Sequence, residues 1–210
     1  MIPFCFFLFS CSHSLEEQVN NCVSEYRENY FYLKTESFTA SFTDGEREKD
    51  YIYNGEKTSL VDYGIVVVKS EVAVEGNLSF ELSVNDEILV GEMERNPFDQ
   101  TFVFDTGRRV SSEDNLELYL VDFDVRLNLI CLSKEWGLTC GQALTKFVYE
   151  NKTQLQSYVL NDSFQGEVYI KLVGDIDDEN NIYYYILAVC KDGQVFGSLI
   201  DVKTGIVVQK

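Results

Sequence analysis

Hydrophobic side chains follow two different periods along this chain of 210 residues. Over residues 15–30 they recur every three or four positions, for example at Leu15, Val19 and Tyr26. This spacing predicts an amphipathic helix. The pattern then changes to strict alternation, as in residues 38–42, where Phe and Ala alternate with Thr and Ser. Because a period of two is typical of a strand with one buried face, we expect a β-rich region after the helix.

Turn-forming pairs separate the alternating segments. Asp44-Gly45, Asn54-Gly55 and Asn85-Asp86 each stand where the chain can reverse direction in a hairpin. Short strands at regular spacing, with such turns between them, predict a sandwich or a barrel-like sheet. We expect a sandwich-like β domain over residues 31–133. Its predicted strands include residues 38–43, 51–53, 64–68, 78–84, 88–90, 102–104, 116–120 and 125–129.

The pattern changes again after Leu132. Thr139 and Gln142 fit a capping box, in which the Thr hydroxyl accepts a hydrogen bond from an early helical N–H and the Gln side chain reaches back. A helical apolar stripe and then an antiparallel meander follow, which predicts an α+β module over residues 134–210. The whole chain is therefore expected to be α+β: a sandwich-like part, then a helix packed on a meander sheet. The predicted strands of the meander are residues 166–173, 182–190, 194–201 and 206–209.

The end of this second module resembles a PepSY-type domain. In the closing segment, residues 200–208, Asp201 and Gly205 match the family's Asp-x-x-Thr-Gly turn between apolar strands. With the order of helix and strands, the resemblance covers residues 139–210. It implies a small helix-plus-sheet fold, an extracytoplasmic setting and a role as inhibitor or regulator of a partner protease. The long acidic turn at residues 175–181 departs from the family's usual pattern, as do the two cysteines.

The first eleven residues carry a separate signal. An apolar run from Ile2 to Phe9 ends at Ser10-Cys11, and a polar sequence begins at Ser12. This resembles the lipobox of bacterial lipoproteins, in which a small residue precedes the cysteine that becomes lipidated. The resemblance implies that residues 1–11 are a signal and that Cys11 carries a lipid anchor. The helix expected in residues 12–30 would then tether an extracytoplasmic body to the bacterial cell membrane.

This signal lacks the basic residues that normally open a secretory signal. The first Lys or Arg of the chain is Arg27, so we expect translation to start upstream of Met1. A membrane-spanning helix needs about 20 apolar residues, which this run does not approach. The alternative interpretation is that the apolar run forms a buried N-terminal strand of a cytosolic protein.

The charge of the chain excludes one class of partner. Its formal net charge is −18, from 35 Asp+Glu and 17 Lys+Arg. Nucleic-acid binding depends on Lys and Arg that neutralise phosphates, so no nucleic-acid partner is expected. Residues 1–130 carry 25 Asp+Glu and 10 Lys+Arg, whereas residues 131–210 carry 10 and 7. The negative charge of the β-rich part can be explained by solubility. Alternatively, it binds a cationic partner or cations.

Residue types that support catalysis are scarce. A Ser or Cys nucleophile usually needs a His base, and the only His, His13, lies beside the lipid attachment point. No glycine-rich phosphate-binding motif occurs. We therefore expect a non-catalytic binding or structural role at the cell envelope, with no cofactor. The alternative is an extracytoplasmic hydrolase that uses two of the many carboxylates.

One acidic cluster could suggest a metal site. Asp175, Asp177 and Glu179 alternate as in the first half of a Ca²⁺ loop, where oxygen ligands suit the cation. However, the loop lacks the Gly expected at its sixth position, and Ile186 stands where the twelfth-position Glu should be. We interpret this cluster as an acidic hairpin turn and expect no metal.

Four cysteines remain once Cys5 and Cys11 are assigned to the signal. In an exported chain they permit two disulfides, in three possible connectivities. They can equally be free buried thiols, which behave as small hydrophobic side chains. These cysteines are Cys22, Cys131, Cys140 and Cys190.

Overall fold

A computed structural model describes residues 13–48, 59–99 and 101–209. Strands make up most of its regular structure. The helices are α1 (Leu15–Asn20), α2 (Cys140–Glu150) and α3 (Lys152–Gln156). The strands are β1 (Val23–Lys34), β2 (Phe38–Glu48), β3 (Leu60–Ser70), β4 (Leu78–Val84), β5 (Glu87–Arg95), β6 (Thr101–Asp105), β7 (Leu116–Leu120), β8 (Val125–Cys131), β9 (Val159–Leu160), β10 (Ser163–Phe164), β11 (Gly166–Gly174), β12 (Ile182–Cys190), β13 (Val195–Asp201) and β14 (Val207–Gln209).

Eight strands close into an antiparallel barrel. They follow the order β1-β2-β3-β6-β5-β4-β7-β8, and β8 pairs back with β1 through Phe31↔Cys131 and Tyr32↔Ile130. The inward members of each alternating strand fill the interior, as Leu78, Phe80 and Leu82 do on β4. This closing pair of strands makes the predicted sandwich wrong, because a sandwich would leave two separate sheets with open edges.

Strand β1 also carries a second group of strands. Strand β11 lies parallel to it through pairs such as Tyr26↔Ile170, and β12, β13 and β14 follow in antiparallel order. We call these four strands the extension. The three helices pack on one face of it, where Val19, Phe147 and Leu155 join Ile170 and Ile186 in a second core.

The predicted α+β fold, with a helix on an independent meander sheet, is wrong. The extension continues the barrel's own sheet through β1, so that twelve strands run in one order. Individual elements of the prediction are nevertheless confirmed. Helix α2 begins after Thr139 in a capping box: Gln142 N donates to Thr139 Oγ1 (3.3 Å), and Thr139 N donates to Gln142 Oε1 (2.9 Å). Strand β12 also has the bounds expected from the sequence.

The helix predicted for residues 15–30 ends at Asn20, and β1 begins at Val23. Tyr26 and Tyr30 both contact the second core. A separation of four positions keeps two side chains on one face of a helix, but it is also an even number and keeps them on one face of a strand. This spacing therefore does not distinguish the two elements. Strand β1 also contains a β-bulge between Arg27 and Tyr30, where its register with β2 shifts.

The turn predicted at Asp44-Gly45 is also wrong, because β2 runs through it. Gly45 pairs with Arg27 on one side and Tyr63 on the other. A Cβ on Gly45 would lie 1.8 Å from Tyr26 O, so the close approach of the two strands requires glycine. The hairpin predicted at Asn85 is confirmed, with β4 and β5 on either side of it. The turn predicted at Asn54-Gly55 lies outside the described residues.

Candidate functional site

Strand β12 is apolar on both of its faces. Ile182, Tyr184 and Ile186 are buried in the second core, beneath the helices. The alternate residues point to the opposite side and are only half-buried. None of the sequence predictions named this face, although the uninterrupted apolar composition of residues 182–190 is a signal of it. We call the outward side chains of β11, β12 and β13 the open face, and they include Tyr169, Val173, Tyr183, Tyr185, Leu187, Val195 and Leu199.

A shallow hollow of about 500 Å³ lies in the open face. Its walls include Tyr185, Leu187 and Leu199. Gly197 stands opposite Leu187 in the register of β12 and β13. A Cβ on Gly197 would lie 3.0 Å from Leu187 Cδ2, so a larger residue there would press on Leu187. The missing side chain leaves room in the face for an apolar side chain of another molecule.

The open face also carries charged side chains, and they have partners. Lys171 on β11 stands opposite Tyr185 in the register, and its Nζ is 3.4 Å from Glu25 Oε2. The Tyr169 hydroxyl donates to Glu167 Oε2 (2.6 Å), and this hydrogen bond raises the pKa of Tyr169 to about 12. At the far side, Asp201 Oδ1 accepts from the backbone N–H of the following turn. The outward side chains of β12 itself are uncharged, and the charges belong to β11 and β13 on either side of it.

A cleft of about 560 Å³ adjoins the hollow, and Val173 lines both. The cleft lies between the end of β11 and the outer surface of the barrel. Its barrel wall carries three hydroxyl groups and two cations, from Ser41, Thr43, Thr101, Arg27 and Lys69. The open face thus continues from an apolar sheet surface into a recess with polar groups on its barrel side.

Arg27 lies at this recess and is held in place by its neighbours. Its Nε donates to the Tyr63 hydroxyl (3.0 Å), and its Nη1 donates to Thr43 Oγ1 (3.3 Å). Tyr63 in turn donates to Glu25 Oε1 (3.1 Å). Burial raises the pKa of the Tyr63 hydroxyl, so it stays protonated and can donate at neutral pH. The position of the Arg27 charge is therefore fixed by hydrogen bonds on two sides.

Three contacts hold the acidic hairpin, residues 175–181, against the barrel. The ammonium group of Lys69 forms an ion pair with the Asp177 carboxylate. Lys34 Nζ donates to Asp177 O (2.8 Å), and the Tyr32 hydroxyl donates to Ile176 O (3.1 Å). These contacts close one end of the cleft and engage the carboxylate of Asp177.

In the acidic hairpin, Asp175, Asp177 and Glu179, which the sequence offered as possible Ca²⁺ ligands, do not come together as a metal site. Asp175 Oδ1 accepts from Asp177 N (2.9 Å), as in a turn stabilised by its own side chain. Glu179 faces a different hollow, beside Tyr32 and Lys34. Across residues 13–48, 59–99 and 101–209, no group of three His, Cys, Asp or Glu residues could hold a metal ion.

Asp99 lines the cleft but lacks the raised pKa that the general acid of a two-carboxylate hydrolase needs. It accepts hydrogen bonds from the Thr101 hydroxyl (2.6 Å) and N–H (3.1 Å), and these lower the pKa of Asp99. Burial raises the pKa of Asp44. That residue lies inside the barrel end, where Asn29 N and Val110 N donate to it.

The four cysteines form no disulfide with one another in the described part of the chain. Cys140 opens α2, where burial, with a smaller contribution from Glu28, raises the pKa of its thiol to about 12. The thiolate is the reactive form of cysteine, so Cys140 is a poor nucleophile at neutral pH. Cys190 is buried in the second core. Burial raises the pKa of the Cys190 thiol as well.

The proposed lipid anchor, Cys11, lies outside the described residues. In the ranges that are described, none of the helices has the length and apolar character needed to cross a membrane. No family model, curated protein or solved structure matches this chain.

Proposed function

We propose that this chain is a lipid-anchored protein of the bacterial cell envelope that binds another envelope protein without catalysis. The observation that carries the proposal is the open face. A strand that is apolar on both sides is typical of a sheet covered on both sides. Contiguous exposed apolar surface marks sites of interaction with other molecules. A bound protein would supply the second cover for β12.

The charge of the chain favours a partner different from itself. A net charge of −18 makes two copies repel each other as they approach. The outward side chains of β12 are uncharged, and Lys171 beside them is paired with Glu25. A partner can therefore bury apolar side chains here without burying an unpaired charge. The partner we expect is a neutral or basic protein with a projecting apolar side chain, which enters the hollow beside Gly197.

The anchor is supported by the sequence that ends at Cys11. Attachment to a membrane confines a protein to the surface where its partner is found, which raises their effective concentration. A modest interface is then sufficient for stable association. The open face, with its shallow hollow, is an interface of this kind.

A photo-reactive side chain on the open face tests the binding role. With p-benzoylphenylalanine in place of Tyr185, illumination of cells should join the chain to one other envelope protein. Replacement of Leu199 by Lys should reduce the yield, because it places a charge in the interface. Val90, 67% exposed on the barrel surface, is the matched control position and should give no adduct. An adduct between two copies of the chain would contradict the proposed partner, and the absence of any adduct would contradict the binding role.

The anchor has its own test. The chain, expressed with its upstream codons in a bacterial host, should incorporate labelled palmitate and fractionate with membranes. The Cys11→Ala variant should lose both properties. Unchanged labelling in that variant would show that Cys11 is not the attachment point.

A further inference from the structure

The distance between the proposed anchor and the folded body is short. Only Ser12, His13 and Ser14 separate Cys11 from the first residue of α1. Four consecutive Cα atoms span at most about 10 Å. Helix α1 is fixed to the body, because Val19 is fully buried and Ser14 and Glu17 form a capping box at its start. The tether predicted for residues 12–30 therefore ends at Ser14.

We infer that the surface around the start of α1 lies against the lipid bilayer, an inference that rests on the proposed anchor at Cys11. The polar headgroup region of each leaflet is about 5–8 Å thick. A cysteine whose acyl chains enter the hydrocarbon thus holds Ser14, and the first turn of α1, at headgroup level. The body cannot stand away from the membrane on a tether of this length.

The neighbours of α1 determine which side chains meet the lipid. Helix α1 lies against α2, α3 and β10. The Thr145 hydroxyl on α2 donates to Glu16 Oε1 (2.6 Å), so this part of α2 is close to the start of α1. Tyr149 lies one turn further along the same face of α2 and is 76% exposed. Tyr149 is therefore both near the tether and open to its surroundings.

A second large exposed side chain belongs to the hairpin of β9 and β10. Asn161 and Asp162 form its two-residue turn, both with positive φ, of 52° and 56°. Leu160 precedes the turn and is 61% exposed. Lys152 lies between these two residues in the sequence and is also exposed. We call Tyr149, Lys152 and Leu160 the membrane-facing surface. Tyr and Lys side chains are typical of the level where a bilayer meets water, and Leu160 can reach deeper.

The distribution of charge favours the same orientation. The barrel belongs to the segment with 25 Asp+Glu and 10 Lys+Arg, whereas residues 131–210, which contain the membrane-facing surface, carry 10 and 7. An anionic bilayer repels the barrel more strongly than the helices within the roughly 8–10 Å over which exposed charges act. The barrel is thus expected to point away from the membrane.

Tryptophan quenching by brominated lipids tests this surface. Trp136 is the only Trp in the chain, so a Trp136→Phe background removes the native signal. Leu160→Trp, Tyr149→Trp and the control Val90→Trp are then prepared as the lipidated full chain in vesicles of brominated or ordinary phosphatidylcholine. Emission from the Trp at positions 149 and 160 should fall about twofold in brominated vesicles, because both rings sit at the interface. Emission from the Val90 position should not change.

The outcomes separate this inference from the anchor itself. Retained palmitate labelling with equal quenching at all three positions, or with none, would overturn the membrane-facing surface and leave the anchor standing. Absence of labelling in the parent chain would overturn the anchor and this surface together. Insertion of twelve Gly and Ser residues between Ser12 and His13 should relieve the quenching, since the reach then exceeds the headgroup region. Quenching that survives the insertion would contradict a contact imposed by the short tether.

Discussion

The barrel and the extension use alternating side chains in different ways. On β4 of the barrel, Phe80 points into the core and Glu81 points to solvent. On β12 of the extension, Ile186 is buried beneath the helices and its neighbour Leu187 is apolar as well. A closed barrel has one interior to fill, so only alternate residues of its strands need to be apolar. An open sheet that is apolar on both faces has a second surface available for burial, which is why we place the binding site there.

The largest effect is expected from a cavity in the barrel. Phe80 is fully buried, and its ring lies edge-on to Phe104 with centroids 4.9 Å apart. Phe80→Ala should lower the free energy of unfolding by about 3–5 kcal/mol, measured by urea denaturation. The Ile88→Ala control removes a side chain that is 61% exposed and should change it by less than about 0.5 kcal/mol.

The same measurement shows whether the two cores unfold together. Trp136 belongs to the edge of the second core and stacks on Tyr30 of β1, with centroids 6.0 Å apart. Because β1 belongs to both cores, Phe80→Ala should move the fluorescence transition of Trp136 together with the circular dichroism transition of the strands. A Trp136 transition left unmoved would show that the extension is stable without the barrel.

Substitutions of two adjacent residues of β12 allow the stability contributions of the two faces of the extension to be compared directly. Ile186→Ala should cost about 2–5 kcal/mol, because Ile186 is fully buried. Leu187→Ala removes a half-buried side chain from the open face and should cost less than about 1 kcal/mol. Both free energies come from urea denaturation of the isolated chain. Equal losses at the two positions would mean that the open face is already covered within a single chain.

A pH titration examines the buried carboxyl group at the barrel end. Because burial raises the pKa of Asp44 above its ordinary value of 3.8, the folded chain holds this proton more tightly than the unfolded chain. The stabilising contribution of that proton is complete below pH 3.8 and is lost as the pH rises through the raised pKa. The stability of the parent chain relative to Asp44→Asn should therefore decrease over that window and then stay level. A difference that increases with pH would contradict the raised pKa.

The smallest effect is expected at the acidic hairpin. Melting temperatures in EDTA and in millimolar Ca²⁺ should agree, because the Asp177 carboxylate is engaged by Lys69. A Ca²⁺ ion at a hundred times its dissociation constant would add about 2.7 kcal/mol, or about 5–10 °C. Asp177→Asn should cost at most about 1 kcal/mol, because the ion pair is partly exposed. A rise with Ca²⁺ that this variant abolishes would show that the hairpin binds the ion.

The alternation of apolar and polar residues predicted most of the strands, but it did not predict which strands pair with one another. The alternation of Leu78, Phe80 and Leu82 follows from burial of one face, so it is visible in sequence and recurs as β4. The capping box at Thr139 is local chemistry and was equally visible. Closure of the barrel depends on pairs such as Phe31↔Cys131, between residues far apart in sequence. No periodicity within a strand records which strand will become its neighbour.

The candidate site was the least predictable part, for a related reason. The residues of the open face could be read from the sequence as strand positions, and Tyr185 and Leu187 fit that pattern. Whether a strand face is covered depends on where the helices pack, which a single sequence does not show. The helix expected through residue 30 is wrong for another reason, because a separation of four positions, as at Tyr26 and Tyr30, fits one face of a strand as well as one face of a helix.

Strand β1 belongs to both the barrel and the extension. This has a consequence for the order in which the strands find their neighbours during folding. Strand β1 is synthesised before every other strand that the structure describes, and β2 follows it at once. Its remaining partners are β8, which closes the barrel, and β11, which begins the extension. Contacts between distant segments form slowly, because a long loop must close first. The earliest strand is thus among the last to acquire all of its neighbours, and the apolar rings of Tyr30 and Tyr32 remain uncovered until the C-terminal third has been made.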